Sequence, residues 1–263
     1  MHNIKVVIHG AMGKMGKETV NAVCRESDLD PVGAADHQAK TNSYSLPDGS
    51  GDIPFSNSLK DVIGKAQVVV DFSTAEGAMN VIRTATSNKV NVVIGSTGLT
   101  ADNIKESESL AHKYQVGIII APNFAIGAIL MIQMAKMVAP FFDYADLMEI
   151  HHEAKIDAPS GTALAIAKQL SNSKKDGFTS TKTEKENLSG SRGGVYEGIN
   201  IHSGRLPGKV AYHELILGAL GQTLTIRHDS INRESFMPGV VMAIKEVVKK
   251  PGLIVGLENV LDF

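Results

Sequence analysis

Over the first 124 residues, short runs of branched aliphatic side chains alternate with stretches whose apolar positions recur every three or four residues. The runs at 4–9, 31–35, 67–72, 91–95 and 117–121 are built on consecutive apolar residues instead of an apolar-polar alternation, as strands buried on both faces of a parallel sheet must be. Between them, 14–25, 75–87 and 101–113 carry the helical period. Strand and helix alternating in this order predict an α/β, Rossmann-like doubly wound parallel sheet.

The pattern changes near Ala125. A long apolar helix is expected over 126–138, a strand over 145–151, and a helix that opens at Ser160 and covers 163–170. Residues 171–194 are polar and read as a mobile surface loop. Three β-type runs follow, at 196–204, 210–218 and 223–228, with no helix between them, which predicts an antiparallel or mixed sheet. A last helix over 237–248 ends at Lys249-Lys250-Pro251-Gly252, with cations in the final turn and proline beyond it. Two domains are expected, the second an α+β unit built differently from the first.

Composition narrows the class. At 263 residues the chain is long enough for two small domains. Its 26 Lys and Arg against 28 Asp and Glu give a net charge of −2, without the basic excess of a nucleic-acid or anionic-membrane binder. One cysteine, Cys24, allows neither an intrachain disulfide nor a multi-thiolate metal site, and a reducing cytoplasm is the expected compartment. The first residues run straight into a short apolar stretch without the charged n-region or the cleavage site of a secretory signal. The most apolar stretch, 116–142, is interrupted by Pro122, Asn123, Gln133, Lys136 and Pro140, so it reads as a buried strand and helix and not as a membrane span of about 20 residues.

Candidate chemistry begins where the first strand ends. Gly10-Ala11-Met12-Gly13-Lys14-Met15-Gly16 has glycine at every third position between a strand and a helix. Glycine permits the sharp turn and the close approach of a pyrophosphate, at which the helix amides then point. The spacing is G-x-x-G-x-x-G and not the standard G-x-G-x-x-G, and a purely structural turn stays open as an alternative. Asp36 follows the second strand, 20 residues after Gly16, where an acid can accept hydrogen bonds from an adenosine ribose. His9 reads as a packed histidine on a buried strand. Phe72-Ser73-Thr74, Gly95-Ser96-Thr97-Gly98 and Ala121-Pro122-Asn123-Phe124 fall at the carboxyl ends of strands, either as ligand loops or as ordinary helix caps.

The second half holds His151-His152-Glu153-Ala154-Lys155-Ile156-Asp157-Ala158-Pro159-Ser160-Gly161-Thr162. Neighbours on a strand face opposite ways, so the two histidines should do different work. Histidine suits proton transfer near neutral pH, and Lys155 with the helix start at Ser160-Gly161-Thr162 can clamp a carboxylate or a phosphate. No ligand set with zinc spacing accompanies the pair, and no metal is expected.

These strings, with Asp71-Phe72-Ser73, Ala163-Leu164 and His228-Asp229-Ser230, resemble the dihydrodipicolinate reductase family over essentially the whole chain. The resemblance implies a cytoplasmic homotetramer. It implies a dinucleotide domain over 1–124 completed by 236–263, and a substrate-binding and oligomerisation domain over 125–235. The implied reaction is NAD(P)H-dependent reduction of a cyclic imine dicarboxylate, 4-hydroxy-tetrahydrodipicolinate, in diaminopimelate and lysine biosynthesis. It implies His151 as general acid and Lys155 as second proton donor and cation, with His152, Gly161 and Thr162 on the substrate carboxylates. The cofactor would be lined by Gly10, Ala11, Met12, Gly13, Lys14, Met15, Asp36, Gly95, Ser96, Thr97, Ala121, Pro122, Asn123 and Phe124, with Phe236 near it at the domain junction.

Two positions depart from the family pattern. A basic residue commonly follows the ribose-side acid, and here the pair is Asp36-His37. An acid repels a 2′-phosphate and a mostly neutral histidine attracts it weakly, although Lys14 or Lys40 could reach it. Dual use is expected, with NADH at least as good as NADPH. Glu153-Ala154 also stands where relatives are often basic. The competing classes are another two-domain dehydrogenase of amino or hydroxy acids, and a nucleotide-sensing protein without chemistry.

Overall fold

The structure is a computed structural model describing residues 3–261. It divides into two compact units, one formed by the chain up to Ala125 and again from Phe236 onward, the other by 126–235. No helix among the described residues is long and apolar enough to cross a membrane.

The first unit opens with β1 (Ile4–His9), α1 (Lys14–Arg25), β2 (Leu29–Ala35), β3 (Ser43–Ser45), β4 (Asp52–Ser56) and α2 (Leu59–Val62). It continues through β5 (Val68–Asp71), α3 (Ala75–Ser87), β6 (Asn91–Ile94), α4 (Ala101–Tyr114) and β7 (Gly117–Ile120). The second unit holds α5 (Ile126–Val138), β8 (Tyr144–His151), α6 (Gly161–Ser173), β9 (Gly194–Tyr196), β10 (Ile199–Arg205), β11 (Ala211–Ala219) and β12 (Gln222–Ser230). The chain then returns to the first unit with α7 (Met237–Val247) and β13 (Gly252–Val255).

The first sheet runs β13-β7-β6-β5-β1-β2-β4-β3, all parallel except the β3 edge. Its central strands are buried on both faces, which their unbroken Val and Ile runs require. Val7, Val69, Val92, Ile94 and Ile118 share a core with α3 and Ala111 of α4. The alternate residues face α1 and α7. β2 and β5 lie on opposite sides of β1, so the strand order reverses there and leaves the ends of β1 and β5 as the place where an open α/β sheet binds its ligand. α7 packs closely because Gly239 and Gly117 present no side chain. A Cβ on Gly239 would sit 2.2 Å from the Phe124 carbonyl oxygen, and one on Gly117 would sit 2.1 Å from that of Val247.

The second sheet runs β12-β11-β8-β10-β9 and is mixed, with β10 parallel to β8 and the other pairs antiparallel. In β8 the alternate residues Ala145, Leu147, Glu149 and His151 are all buried. The first two join α5 and α6 in an apolar core with Met131, Ile166, Leu170 and Leu215. By the period of two, Glu149 and His151 extend that row as its polar end.

Several expectations are corrected. The run 196–204 is two strands, because Glu197 (φ 48°) and Gly198 (φ 84°) make a tight turn with two positive φ values, and β9 and β10 pair across it. The sixth helix begins at Gly161, with Ser160 as its N-cap, and runs to Ser173 instead of covering 163–170 alone. β3, β4 and β13 were not anticipated. The stretch 174–193 holds no helix or strand, and most of it is exposed.

Candidate active site

At the end of β1 the chain turns at Gly10 (φ 80°), whose Cβ would meet the Phe72 carbonyl oxygen at 2.9 Å. Gly13 takes the N-cap position of α1 without a side-chain cap, so the first amides of the helix are left for an anion. The glycine at position 16 is dictated by packing, since a Cβ there would lie 2.0 Å from the Gly10 carbonyl oxygen. Gly16→Ala should open the turn, weakening NADH binding by calorimetry about tenfold or more, a loss of roughly 1.4 kcal/mol. An unchanged dissociation constant would contradict this.

Asp36 is buried, and its carboxylate accepts the Met12 N–H (2.9 Å) and the Gln38 N–H (2.9 Å), with the His37 ring 3.3 Å away. It therefore fixes the glycine turn from the neighbouring strand. Beside it a cavity of about 600 Å³ is lined by Met12, Gln38, Lys40, Thr41 and Tyr44 among others. His9 is tied to the fully buried Asp71 (Nδ1 to Oδ1, 2.6 Å), which also accepts the Ser96 hydroxyl (2.7 Å). Ser96 in turn accepts the Ser73 N–H (3.0 Å), so one carboxylate stitches together the ends of β1, β5 and β6.

The other loops sort themselves. Thr74 caps α3 by accepting the Gly77 N–H. Asn123 accepts the Ala125 N–H, and buried Phe124 stacks edge-on against Phe72 (5.8 Å). Gly95 is required because that Phe72 ring fills the space a Cβ would take. Gly10 to Met15, Asp36, Gly95 to Thr97 and Ala121 to Phe124 thus all follow carboxyl ends of parallel strands. An uncapped helix start, close-packed glycines and a fixed acid fit a dinucleotide's pyrophosphate and ribose.

In the second unit, the loop from His151 to Ser160 joins β8 to α6. The Lys155 ammonium donates to Asp157 (2.7 Å), whose carboxylate is held below the usual range chiefly by that bond. Lys155 therefore holds a carboxylate in this structure, one from the chain itself. His152 and Thr162 are half-buried in the same loop and first helical turn.

His151 is nearly buried, and its Nδ1 lies 2.5 Å from Glu149 Oε2. Burial pushes its pKa down and Glu149 pulls it up, while Lys155 and Arg205 push it down again, leaving it below the ordinary value. Glu149, 0% exposed, receives both terminal nitrogens of Arg205 (2.9 Å each) and the Ser160 N–H (3.2 Å). Burial raises its carboxyl, but the hydrogen bonds, those from Arg205 first, hold it below the ordinary range. Arg205 also donates to the Asp157 carbonyl oxygen (2.6 Å). His213 lies edge-on to His151 at 5.3 Å, 3.2 Å from the Ser160 hydroxyl, and burial pushes it down to about 4.

Glu149, Arg205 and His213 were not singled out from the sequence. Glu149 was within reach, since it stands two residues before His151 and so shares its face. Arg205 and His213 reach the site only through register, Arg205 opposite His151 on β10 and His213 opposite Glu149 on β11.

A doubly wound sheet with this turn in one unit, and a buried histidine near a lysine-held carboxylate in the other, define an NAD(P)-dependent oxidoreductase. Residues 4–124 match the family model "Dihydrodipicolinate reductase, N-terminus", and 127–261 match "Dihydrodipicolinate reductase, C-terminus". The chain is 49% identical to a 4-hydroxy-tetrahydrodipicolinate reductase from Dehalococcoides mccartyi, covering 99% of each. To its namesake from Dictyoglomus turgidum it is 44% identical, over 98% of each. Its fold matches the dipicolinate-bound dihydrodipicolinate reductase from Paenisporosarcina sp. TG-14 with a TM-score of 0.87 and 38% identity, over 98% of this chain and 100% of that one. An amine dehydrogenase from Mycobacterium smegmatis, TM-score 0.63 at 14% identity over 95% and 94%, shares the fold alone. The chain belongs to the dihydrodipicolinate reductase family, and its N-terminal half is that family's NAD(P)-binding domain.

Proposed function

We propose that this chain reduces 4-hydroxy-tetrahydrodipicolinate to tetrahydrodipicolinate with loss of water, using NAD(P)H, in diaminopimelate and lysine biosynthesis. The observation that carries the reading is the Asp157 carboxylate held by Lys155 at 2.7 Å, with the lysine charge also acting on His151. A site that grips its own carboxylate can exchange it for one on a substrate. The dipicolinate bound by the solved relative, a ring with two carboxylates, supports the same class of substrate.

In this reading Lys155, Gly161, Thr162 and His152 hold the ring by its carboxylates. Bound NAD(P)H supplies the hydride. The 4-hydroxyl leaves with a ring proton as water, and the hydride adds to the conjugated imine that results. As negative charge grows on the ring's enamine system, His151 delivers a proton and Lys155 stabilises the charge and serves as second donor. The cofactor is held by Gly10 to Met15, Asp36, Gly95 to Thr97 and Ala121 to Phe124. His9 and Phe236 have no assigned part in the chemistry. We also read the enzyme as a cytoplasmic homotetramer, the first from its single cysteine. For the second, the support is the family resemblance and the exposed Met148 and Ile216 on β8 and β11.

Cofactor choice follows from Asp36. Its charge opposes a 2′-phosphate, and Lys40 is the one cation among the residues lining the neighbouring cavity. Steady-state kinetics should give a kcat/KM for NADH at least equal to that for NADPH, and a strong NADPH preference would contradict the assignment. A coupled assay that follows NAD(P)H absorbance as a synthase supplies the substrate tests the reaction itself.

A further inference from the structure

Glu149 is a carboxylate with no access to solvent, on the face of β8 that the apolar core covers, and burial of that kind is costly unless every oxygen is satisfied. Both oxygens are. Arg205 contributes one bond to each, the Ser160 N–H adds one to Oε1, and the imidazole of His151 meets Oε2. The carboxylate therefore cannot rotate, and a histidine bonded to it inherits a fixed ring plane. A carboxylate only accepts, so the ring nitrogen facing it must carry the proton.

We propose that Glu149 is a positioning residue for the reduction. Clamped by Arg205, it holds the His151 imidazole with its proton on Nδ1, and so reserves Nε2 as the nitrogen that exchanges a proton with the substrate. The inference rests on His151 being the acid of the reaction proposed above.

The charges around His151 give the arrangement a second consequence. Lys155 from its own loop and Arg205 from β10 are cations, and His213 from β11 is a buried histidine kept neutral at working pH. Glu149 is the anion in contact with the ring, at 2.5 Å. Without it, the burial and the two cations act together against the imidazolium that a general acid must be. His213 is a poor replacement, because its Nε2 is engaged with the Ser160 hydroxyl, which also caps α6 by accepting the Ala163 N–H. Arg205, through the Asp157 carbonyl oxygen, ties the loop that carries Lys155 to the same carboxylate.

The test is a pH series of kcat and KM for Glu149→Gln and Glu149→Asp, with nitrogen-resolved NMR of His151 in the unsubstituted enzyme. Glu149→Gln is expected to lower kcat about 10²- to 10⁴-fold with KM changed less than about threefold. The basic limb of its kcat profile should move to lower pH, since loss of the carboxylate lowers the imidazole pKa. Glu149→Asp, which keeps the charge, should return the limb toward its original position. NMR should find neutral His151 protonated on Nδ1. Glu149→Gln with unchanged kcat and limb, a loss of kcat with the limb unmoved, or neutral His151 protonated on Nε2 would each overturn the proposal. If Glu149→Gln does not fold, the NMR tautomer decides. An unsubstituted enzyme that fails to turn over would instead overturn the functional reading, and the tautomer would still decide the role of Glu149.

Discussion

Lys155→Ala is expected to abolish most of the activity by two routes that add. Lys155 is partly buried (22% exposed), and its ammonium already holds the Asp157 carboxylate at 2.7 Å. A charge-assisted hydrogen bond of this kind contributes roughly 1.5–3 kcal/mol, so losing it from the substrate should raise KM about 10- to 100-fold. Loss of a proton donor and of charge stabilisation beside His151 should lower kcat by about 10² or more. Together kcat/KM should fall about 10³-fold or further. NADH affinity, which depends on the other unit, should be unchanged by calorimetry. Wild-type kcat/KM in the variant would contradict the role given to Lys155.

The second large effect concerns stability. Arg205→Leu removes the guanidinium that makes two bonds to a carboxylate with no solvent access. Leaving one partner of a buried pair uncompensated costs about 3–5 kcal/mol, far more than an exposed pair at the surface would. The loss should depend on pH. In the folded protein the Glu149 carboxyl sits below its ordinary value, so its contribution is fully present above the unfolded-state pKa and disappears as pH falls through the folded one. In the variant the residual penalty of burial raises that carboxyl, so Glu149 can become neutral on mild acidification. The destabilisation should therefore be greatest near neutral pH and shrink toward about pH 4, as measured by urea unfolding of both proteins. A small loss, or one that grows in acid, would contradict the picture.

Much of this was legible in the chain before any coordinates. Unbroken Val and Ile runs such as 68–70 and 118–120, short and rich in branched side chains, read as strands covered on both faces, and the caps at Thr74 and Ser160 are local in sequence. The missed strands lack those signals. β4 contains Pro54, β3 has only three residues, and β13 begins at Gly252 directly after Pro251, where a helix end was the stronger reading. The merged strand at 196–204 hid a turn at Glu197, a residue that seldom takes positive φ.

The site divides in the same way. The glycine turn and the string from His151 to Thr162 are contiguous, so their chemistry can be read in order. The partners that orient them are distant in sequence. Arg205 lies 56 residues from Glu149, and it arrives because β10 runs parallel to β8 in one particular register. Asp71 and Ser96 likewise meet only when β5 and β6 pair. A motif names the reacting groups, and the sheet supplies what holds them.

The most direct test of the whole account is the oxidation of NADH and NADPH by the purified chain while a coupled synthase generates 4-hydroxy-tetrahydrodipicolinate. Consumption of reduced cofactor that requires the synthase product, and that Lys155→Ala loses, is the predicted result. No consumption with either cofactor, from a folded enzyme that binds NADH, would contradict it.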